Sequence, residues 1–237
     1  MKILIKDIFD SYNIKLNDIQ INQFESYLTF LIQENEKFNL TAITQPKEII
    51  IKHFIDSVLP YKDIPLNSKV IDVGTGAGFP GIPLKILRND LHLTLLDSLQ
   101  KRINFLNNLL EKLNIKDVKT IHSRAEDYVS SNREIFDIAL SRAVASIPTL
   151  AEYLIPYVKI NGLVMMYKGS KVNEEIALGQ KAINELGGKI IKVQNFYLSE
   201  VDSERNIVFI KKIHSTNKKY PRGKNLPKIK PIFKKTY

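Results

Sequence analysis

A glycine-rich turn is the part of this sequence whose residue types most clearly suggest chemistry. Residues 69–81 read Lys-Val-Ile-Asp-Val-Gly-Thr-Gly-Ala-Gly-Phe-Pro-Gly, an apolar run that passes directly into alternating glycines. Gly74, Gly76 and Gly78 can adopt positive φ and let the backbone approach a ligand more closely than a Cβ would permit. An apolar stretch typical of a helix follows the turn. A strand, a glycine turn and a helix together predict a nucleotide-type cofactor site.

The identity of the cofactor depends on the residues around this turn. The glycines of residues 76–81 satisfy a dinucleotide fingerprint, which is a weak signal by itself. Asp97 ends the next apolar run, about twenty residues downstream, where a carboxylate can accept hydrogen bonds from both ribose hydroxyls. That position suits NAD and S-adenosylmethionine equally. The acid at the start of residues 72–78 favours S-adenosylmethionine, which has no pyrophosphate to place on a helix N-terminus.

Polar residues follow three later apolar runs, at positions where a parallel sheet presents its ligand-binding edge. Ala125 and Glu126 come after the run at 118–122, where a backbone N–H could meet an adenine ring or where the acids could simply begin a helix. Arg142 and Lys168 end the next two runs. Burying either cation without a partner would cost several kcal/mol, so we expect both to face a cleft that takes an anionic substrate.

His53, Asp56 and Ser57 are spaced so that they share one face of a predicted helix. Their residue types suggest a nucleophilic triad, but a triad needs its serine on a strained turn beside an oxyanion hole. We therefore expect a helix-surface hydrogen-bond cluster whose face can border a cleft. The other histidines have no second ligand at metal spacing, so the sequence predicts no metal site.

The net charge of +10 is concentrated at the C-terminal end. Residues 211–237 hold ten lysines and arginines and no carboxylate, which equals the whole net charge. Basic residues interleaved with aromatic ones are typical of polyanion binding, and a solvated lysine-rich run is the alternative. We call residues 214–237 the basic tail and expect its Lys218, Lys219 and Arg222 to contact phosphates. Since the glycine turn lies outside it, deleting the basic tail is expected to leave cofactor affinity intact.

Length and composition narrow the class of protein. A chain of 237 residues can form one sizeable core, or one domain with an appendage. No apolar run approaches the ~18 residues of a membrane span, and the first residues are charged too soon for a secretion signal. We expect a cytoplasmic protein without membrane association. The absence of cysteine excludes disulfides, thiolate metal ligands and any reaction that needs a cysteine nucleophile.

Strands and helices alternate from residue 69 onwards. Strands are predicted at 69–73, 92–97, 117–121, 135–141, 161–168, 189–197 and 206–213. Helices are predicted at 17–36, 47–59, 82–89, 99–113, 148–157 and 172–186. Alternation implies a parallel sheet covered on both faces, and the last two strands are joined too briefly for a crossover helix. The prediction is an α/β, Rossmann-like fold with a seven-stranded, mostly parallel sheet and an antiparallel last strand.

The predicted elements divide the chain into three parts. Residues 1–60 form an N-terminal helical extension, residues 61–213 form the Rossmann-like cofactor-binding domain, and residues 214–237 form the basic tail. The helical extension contains one amphipathic helix and the helix that carries His53.

Short motifs occur in order along most of the chain. They are 38–43 (Phe-Asn-Leu-Thr-Ala-Ile), 52–57 (Lys-His-Phe-Ile-Asp-Ser), 72–83 with its glycines and prolines, 97–98 (Asp-Ser), 125–126 (Ala-Glu), 141–145 (Ser-Arg-Ala-Val-Ala), 167–169 (Tyr-Lys-Gly) and 219–222 (Lys-Tyr-Pro-Arg). In this combination the chain resembles the bacterial 16S ribosomal RNA guanine-N7 methyltransferases of the RsmG or GidB type.

The resemblance implies a class I methyltransferase that transfers a methyl group from S-adenosylmethionine to N7 of a specific guanine in 16S ribosomal RNA. It also implies that Phe79 with the glycine turn, Ala125, Glu126 and Arg142 contact the cofactor, alongside Asp97. Guanine N7 carries a lone pair and no proton, so transfer needs no general base. Positioning is then the main catalytic task, and we assign no residue a proton-transfer role.

The implied substrate is 16S ribosomal RNA, free or in an assembly intermediate of the small subunit. Lys168, Arg205 and the basic tail are expected to contact it, and the protein is expected to act as a monomer. One departure from the family is Asn225, which stands where a glycine usually occurs two residues before Pro227. Asparagine tolerates left-handed backbone better than most residues, so we expect this turn to survive.

Three other functions stay open at this point. A methyltransferase of a different substrate would not need the basic tail. A non-catalytic RNA-binding protein with a Rossmann-like fold would be expected to have a degraded cofactor loop, whereas the glycines here are intact. An NAD oxidoreductase would need a hydride-transfer acid, and the sequence offers no clear candidate.

Overall fold

A computed structural model describes residues 1–233 and places them around one seven-stranded sheet. The strands are β1 (Lys69–Val73), β2 (His92–Asp97), β3 (Val118–His122), β4 (Phe136–Arg142), β5 (Val158–Lys168), β6 (Gly188–Leu198) and β7 (Ser203–Lys212). Their order is β3-β2-β1-β4-β5-β7-β6, and β7 runs antiparallel to both of its neighbours. The predicted mostly parallel sheet and its antiparallel last strand are confirmed.

Helices cover both faces of the sheet. They are α1 (Lys2–Ser11), α2 (Asp18–Phe38), α3 (46–58), α4 (Gly81–Leu87), α5 (Gln100–Lys112), α6 (Ala125–Tyr128), α7 (Ile147–Leu154), α8 (Val172–Glu185) and α9 (Leu226–Ile229). The six helices predicted from periodicity are all present, with ends shifted by a few residues. The sequence patterns missed α1 and α9, and α6 was only one of two interpretations of residues 125–126; α6 and α9 are each four residues long. So short a helix does not complete two turns and shows no period.

The sheet is buried on both faces, which explains why its central strands are apolar throughout. On one face, Phe9, Phe24 and Tyr27 of the first two helices share a core with Leu95 and Leu140 of the sheet. The other face is covered mainly by α7 and α8. The N-terminal helical extension is therefore packed into the same core as the Rossmann-like sheet.

The strand order changes direction between β1 and β4. The chain moves outward from β1 to β3 on one side and resumes at β4 on the other side, where β1 and β4 are parallel neighbours. Crossover helices on either side leave a crevice beyond the carboxyl ends of such strands, where ligands bind in open α/β sheets. Val73 and Arg142 end these two strands, so the glycine turn and the predicted cleft arginine start at the same crevice.

Helix α3 contains a π-helical stretch. It begins as an α-helical turn (Pro46–Ile49), continues as π-helix (Ile50–Ile55) and ends as a short α-helical turn (Asp56–Val58). Pro46 stands in the first turn of this helix, where a missing N–H costs no hydrogen bond. Stretches of π-helix inside α-helices occur frequently at functional sites, and this one carries His53.

The hydrogen-bond cluster on α3 does border a cleft, as expected, but its predicted place on the protein surface is wrong. Asp56 is only 4% exposed and Ser57 is fully buried, because this face of the helix packs against the sheet. Ser57 donates to the backbone carbonyl of His53 rather than to a base, while Asp56 pairs with Arg142. The three residues therefore do not form a triad.

The basic tail folds back over α7 and α8. Its buried residues include Thr216, Tyr220 and Pro227. The Thr216 hydroxyl donates to the carbonyl of Leu186 at 2.7 Å, and the Tyr220 hydroxyl contacts Glu185 at the end of α8. The last four residues of the basic tail, 234–237, lie outside the described residues.

An ion pair anchors the middle of the basic tail. Glu152 of α7 is fully buried, and its carboxylate accepts from the backbone N–H of Arg222 at 2.7 Å and from Nε and Nη2 of the same residue at 2.9 and 2.7 Å. Nη2 of Arg222 also donates to the backbone carbonyl of Lys230 at 2.9 Å. The structure thus gives Arg222 a partner inside the protein, and a phosphate contact by Arg222 stays a prediction.

The turn at Asn225 has the expected left-handed backbone. Asn225 has φ +59° and precedes the short helix α9. The expectation that this turn survives without glycine is confirmed.

Within residues 1–233, no helix combines the length and apolar character that a bilayer span requires.

We predict that Arg222→Ala lowers the free energy of unfolding by about 3 kcal/mol or more, because it leaves the buried Glu152 carboxylate without its cation. Urea denaturation would measure the loss. The double variant Glu152→Met with Arg222→Met removes both charges and is expected to lose less. Lys159→Ala, which breaks an exposed pair with Asp137, is the control and should cost under about 1 kcal/mol. A loss no larger than that of the control would show that Glu152 finds another partner.

Candidate cofactor and substrate site

The glycine turn after β1 is closed by a buried carboxylate. Oδ2 of Asp72 accepts from the Thr75 hydroxyl at 2.8 Å and from the backbone N–H of Gly81 at 2.9 Å. These two bonds join the end of β1, the turn and the first residue of α4. Gly74, Gly76 and Gly78 have φ of +73°, +61° and +100°, as the sequence predicted.

Two of these glycines also allow close packing. A Cβ on Gly74 would lie 2.5 Å from Cγ2 of Val144, and a Cβ on Gly78 would lie 2.8 Å from the hydroxyl of Tyr27. That hydroxyl donates to the carbonyl of Ala77 at 2.6 Å and so ties α2 to the turn. Glycine is therefore required here by steric contact as well as by φ.

Asp97, at the end of β2, holds the turn from the other side. Its carboxylate is 2% exposed; Oδ2 accepts from the Gly76 N–H at 2.9 Å and Oδ1 accepts from the Leu99 N–H at 3.0 Å. Arg102 lies 3.2 Å from Oδ2. A carboxylate has about four acceptor positions, so capacity remains for a further donor.

A cavity of about 590 Å³ opens at the carboxyl ends of β1, β2 and β4, and we call it the first cavity. Its volume lies within the ~300–1,000 Å³ range of small-molecule sites. The predicted cofactor residues that line it are Gly74, Gly76, Phe79, Asp97, Ala125, Glu126 and Arg142. Gly78 does not line the first cavity. It shapes the turn beneath the cavity instead.

Glu126 leaves an unpaired polar atom at the first cavity. Its side chain is 5% exposed, and Oε1 has no hydrogen-bond partner. The nearest cation is Arg124, 3.6 Å away. Ala125 begins the short helix α6, as one interpretation of the sequence expected, and both residues also line the cavity, while a contact of this segment with an adenine ring stays a prediction. An unpaired buried acceptor is costly, so this oxygen is suited to a donor from a ligand.

Arg142 lies between α3 and the glycine turn. Its Nη1 donates to Oδ2 of Asp56 at 2.8 Å, and its Nη2 donates to Nδ1 of His53 at 3.2 Å. The guanidinium carbon lies 5.0 Å from the ring centre of Phe79, which stacks on His53 at 4.6 Å. Asp56 therefore supplies the acidic partner that a buried arginine needs. Arg142 also lines the first cavity.

Burial and the neighbouring Arg142 lower the pKa of His53 to about 3. The imidazole is therefore neutral near pH 7. Arginine can only donate, so Nδ1 of His53 must accept and Nε2 carries the proton. Nε2 lies 2.8 Å from the hydroxyl of Thr41, which accepts that hydrogen bond. Both ring nitrogens are thus engaged.

A second cavity of about 560 Å³ adjoins the first, and we call it the second cavity. The two share His53, Arg142 and residues 143–145. The predicted substrate residues Lys168 and Arg205 line the second cavity. The structure therefore brings the two groups of predicted residues to adjoining spaces on either side of Arg142.

Each basic group of the second cavity has an acidic neighbour. Lys168 donates to Glu175 at 2.7 Å and to the carbonyl of Ala145 at 2.6 Å. Nε of Arg205 lies 3.3 Å from Oδ1 of Asp56, which has no partner in hydrogen-bond geometry. Lys168 and Arg205 are thus held in place before any substrate arrives.

Sequence reasoning missed several residues of the first cavity. They are Thr41, Tyr153, Asn225 and Lys228. Tyr153 lies on α7, for which the sequence predicted a helix but no site residue, and Asn225 and Lys228 come from the basic tail. No local pattern indicates that the basic tail returns to this crevice. Lys218 and Lys219 line neither cavity.

No metal centre is present in the part of the chain that the structure describes. Within residues 1–233, no three His, Cys, Asp or Glu side chains are grouped so that they could hold a metal ion.

Comparisons with known proteins agree on one family. A family model described as GidB, rRNA small subunit methyltransferase G, matches residues 20–208. The chain is 46% identical over 233 residues to the ribosomal RNA small subunit methyltransferase G of Clostridium botulinum (strain Loch Maree / Type A3), covering 97% of this chain and 98% of that protein. It is 47% identical over 233 residues to the protein of the same name from Clostridium perfringens (strain 13 / Type A), with the same coverage.

Solved structures show the same fold at low sequence identity. The structure of TYW2 from M. jannaschii in complex with AdoMet has a TM-score of 0.52 and 13% identity, covering 67% of this chain and 77% of that chain. The precorrin-6y C5,15-methyltransferase of Geobacter metallireducens GS-15 has a TM-score of 0.51 and 14% identity, covering 67% and 87%. The fold is that of the class I methyltransferases.

The buried carboxyl of Asp72 should make stability depend on pH. Burial raises its pKa from 3.8 to about 6. The folded protein then holds a proton that the unfolded chain releases, so the free energy of unfolding falls as pH rises from about 4 to about 6. We predict that the stability of the wild type relative to Asp72→Asn falls by up to about 3 kcal/mol across this window.

Urea denaturation at several pH values would measure this difference. Asp137→Asn is a matched control, because the Lys159 ammonium and the Lys69 N–H lower the pKa of Asp137 although its partial burial opposes them. For Asp137, whose pKa is lowered by folding, the difference between wild type and variant should rise as pH increases to about 4 and stay nearly level above it. A difference for Asp72 that stays flat between pH 4 and 6 would show that this carboxyl ionises normally.

Proposed function

This chain belongs to the GidB family of rRNA small subunit methyltransferases G, and we propose that it methylates N7 of one guanine in 16S ribosomal RNA with S-adenosylmethionine as the methyl donor. The observation that carries the proposal is the pair of adjoining cavities that share Arg142. The first cavity would hold the cofactor and the second the target base. The substrate would be 16S ribosomal RNA or a partly assembled small subunit, and the protein would work in the cytoplasm.

Two features of the first cavity suit S-adenosylmethionine. Gly74 and Gly76 present backbone where a side chain would stand, and Asp97 keeps acceptor capacity next to them. Asp97 would accept hydrogen bonds from the ribose hydroxyls. The acid that begins the motif, Asp72, is occupied with the turn and would act only by holding it.

The first cavity also offers a partner for the adenine. Oε1 of Glu126 is buried without a hydrogen-bond donor, and the exocyclic amine of adenine is such a donor. Phe79 and Arg142 would border the cofactor on the side of the second cavity, because both line the first cavity and stack on each other. When bound, S-adenosylmethionine supplies an electrophilic methyl group on a sulfonium.

The second cavity suits a guanine that has left its helix. Enzymes that modify a base inside a nucleic acid take the base out of the stack into a pocket. Arg142, Lys168 and Arg205 provide donors there, and guanine presents O6 and N7 as acceptors on one edge. A donor on O6 would orient the base while N7 stays free. Exposed Lys218 and Lys219 would contact phosphates outside the cavity.

The engaged state of His53 supports transfer to an atom that carries no proton. His53 is neutral, its Nδ1 accepts from Arg142 and its Nε2 donates to Thr41. Its ring therefore positions Arg142 and Phe79 and has no free nitrogen with which to remove a proton. Guanine N7 needs no such removal, so holding the base against the methyl group is sufficient.

We predict that Asp97→Ala weakens S-adenosylmethionine binding at least tenfold, since a hydrogen bond to a charged group contributes about 1.5–3 kcal/mol. The loss includes the support that Asp97 gives to the Gly76 N–H. Isothermal calorimetry would measure it, with Asp90→Ala as a control carboxylate that pairs with Arg88 away from both cavities. Unchanged affinity in folded Asp97→Ala would remove Asp97 from the site. Tight NAD binding by the wild type would contradict the methyltransferase assignment.

The product is predicted to be 7-methylguanosine at one position of 16S ribosomal RNA. N7 methylation puts a positive charge on the ring and weakens the glycosidic bond, so borohydride and aniline should cleave the strand at that guanine. RNA from cells that lack the protein should resist cleavage, and wild-type protein should restore it. Cleavage that does not depend on the protein would contradict N7 as the target.

A further inference from the structure

The basic tail forms part of the wall of the first cavity. Asn225 and Lys228 line it together with Asp97 and Glu126, although they follow these residues by about a hundred positions or more. The expectation that the basic tail and the cofactor site are separable is therefore wrong. A ligand in the first cavity and a polyanion on the basic tail would meet the same short segment.

Specific contacts fix this segment against α7. The Thr149 hydroxyl donates to the carbonyl of Pro227 at 3.0 Å, and the Tyr153 hydroxyl donates to Oδ1 of Asn225 at 3.4 Å. The Arg222 to Glu152 ion pair holds the chain just before them. These contacts with α7 hold Lys228 at the first cavity.

The first cavity carries an excess of positive charge. Its charged lining residues are the cations Arg102, Arg124, Arg142 and Lys228 and the carboxylates Asp97 and Glu126. Asp97 and Glu126 have arginine neighbours at 3.2 and 3.6 Å, and Arg142 pairs with Asp56. Within residues 1–233, no carboxylate oxygen lies within 4.0 Å of the Lys228 ammonium. Among the described residues, Lys228 is thus the cation of this wall without a carboxylate neighbour.

The solvent side of the same segment is suited to phosphates. Lys224, Lys228 and Lys230 are exposed, and residues 211–237 contain no acid. Phosphates bound to these lysines would neutralise the charge beside the first cavity. Lys228 belongs to both surfaces, because it is exposed and also lines the cavity.

We propose that Lys228 couples RNA binding to cofactor binding: RNA phosphates on the basic tail raise the affinity of the first cavity for S-adenosylmethionine. This inference rests on the proposed function. S-adenosylmethionine carries a sulfonium, an ammonium and a carboxylate and so has a net charge of +1, which an uncompensated Lys228 repels. S-adenosylhomocysteine has lost the sulfonium charge and is neutral overall. The coupling therefore favours loading of the methyl donor when RNA is present and ends with methyl transfer.

Calorimetric titration of the full-length protein tests the coupling. S-adenosylmethionine and S-adenosylhomocysteine are each titrated with and without an oligouridylate, an RNA that contains no guanine and so cannot be methylated at guanine N7. The wild type should bind S-adenosylmethionine at least about fivefold more tightly with the RNA, as is typical of coupled sites. Binding of S-adenosylhomocysteine should change less than about twofold, because only the charged ligand experiences the repulsion.

The variant Lys228→Met removes the charge and keeps the length of the side chain. Without RNA it should bind S-adenosylmethionine about two- to tenfold more tightly than the wild type, and added RNA should have little further effect. Lys189→Met, on the exposed edge strand β6 and away from both cavities, is the control and should behave as the wild type.

Two results would overturn the coupling without touching the proposed function. One is wild-type affinity for S-adenosylmethionine that RNA does not change. The other is a Lys228→Met variant whose affinity and RNA response equal those of Lys189→Met. A wild type that fails to bind S-adenosylmethionine in any condition would instead overturn the proposed function itself.

Discussion

The turn between β1 and α4 depends on one buried carboxylate, and the rest of the site is arranged around that turn. Asp72 accepts from Thr75 and Gly81 and so joins both ends of the turn, while Asp97 accepts from Gly76 in its middle. Backbone with three positive φ values is not rigid by itself, because glycine lowers the cost of many conformations. Asp72 and Asp97, at the ends of neighbouring strands, stabilise one of these conformations through their hydrogen bonds to the turn. Burial raises the pKa of Asp72 to about 6, which means that the charged carboxylate is less stable in this position than in water.

Arg142 connects the turn to both cavities. Its guanidinium pairs with Asp56, donates to His53 and stacks on Phe79, which brings α3, β4 and the turn to one point. The pairing with a buried acid lets a cation stay in a half-buried crevice without an uncompensated charge. Burial, together with the neighbouring guanidinium, lowers the pKa of His53 and keeps its ring neutral. A site of this kind positions its ligands and leaves no group free for proton transfer, which suits a methyl acceptor that already has a lone pair.

The basic tail combines a structural role with an exposed basic surface. Arg222 serves the fold through Glu152, whereas the lysines around it stay exposed to solvent. Charge counting treated all these cations as one patch, because it cannot distinguish an arginine with a buried partner from a solvated lysine. The distinction matters for the site, since the paired arginine fixes where the exposed lysines stand relative to the first cavity.

The sequence by itself determined the strands, the longer helices other than α1, the left-handed glycines of the turn and the place of Asp97, because each follows from a pattern within a few neighbouring residues. Motifs spread along the chain were enough to indicate the family. Only the tertiary structure decided that Asp56 is the partner of Arg142, that Glu152 is the partner of Arg222, and that Lys228 reaches the first cavity. The first two contacts join residues 86 and 70 positions apart. Such contacts depend on how helices and strands pack against each other in the folded protein. A pattern within a few neighbouring residues does not predict that packing.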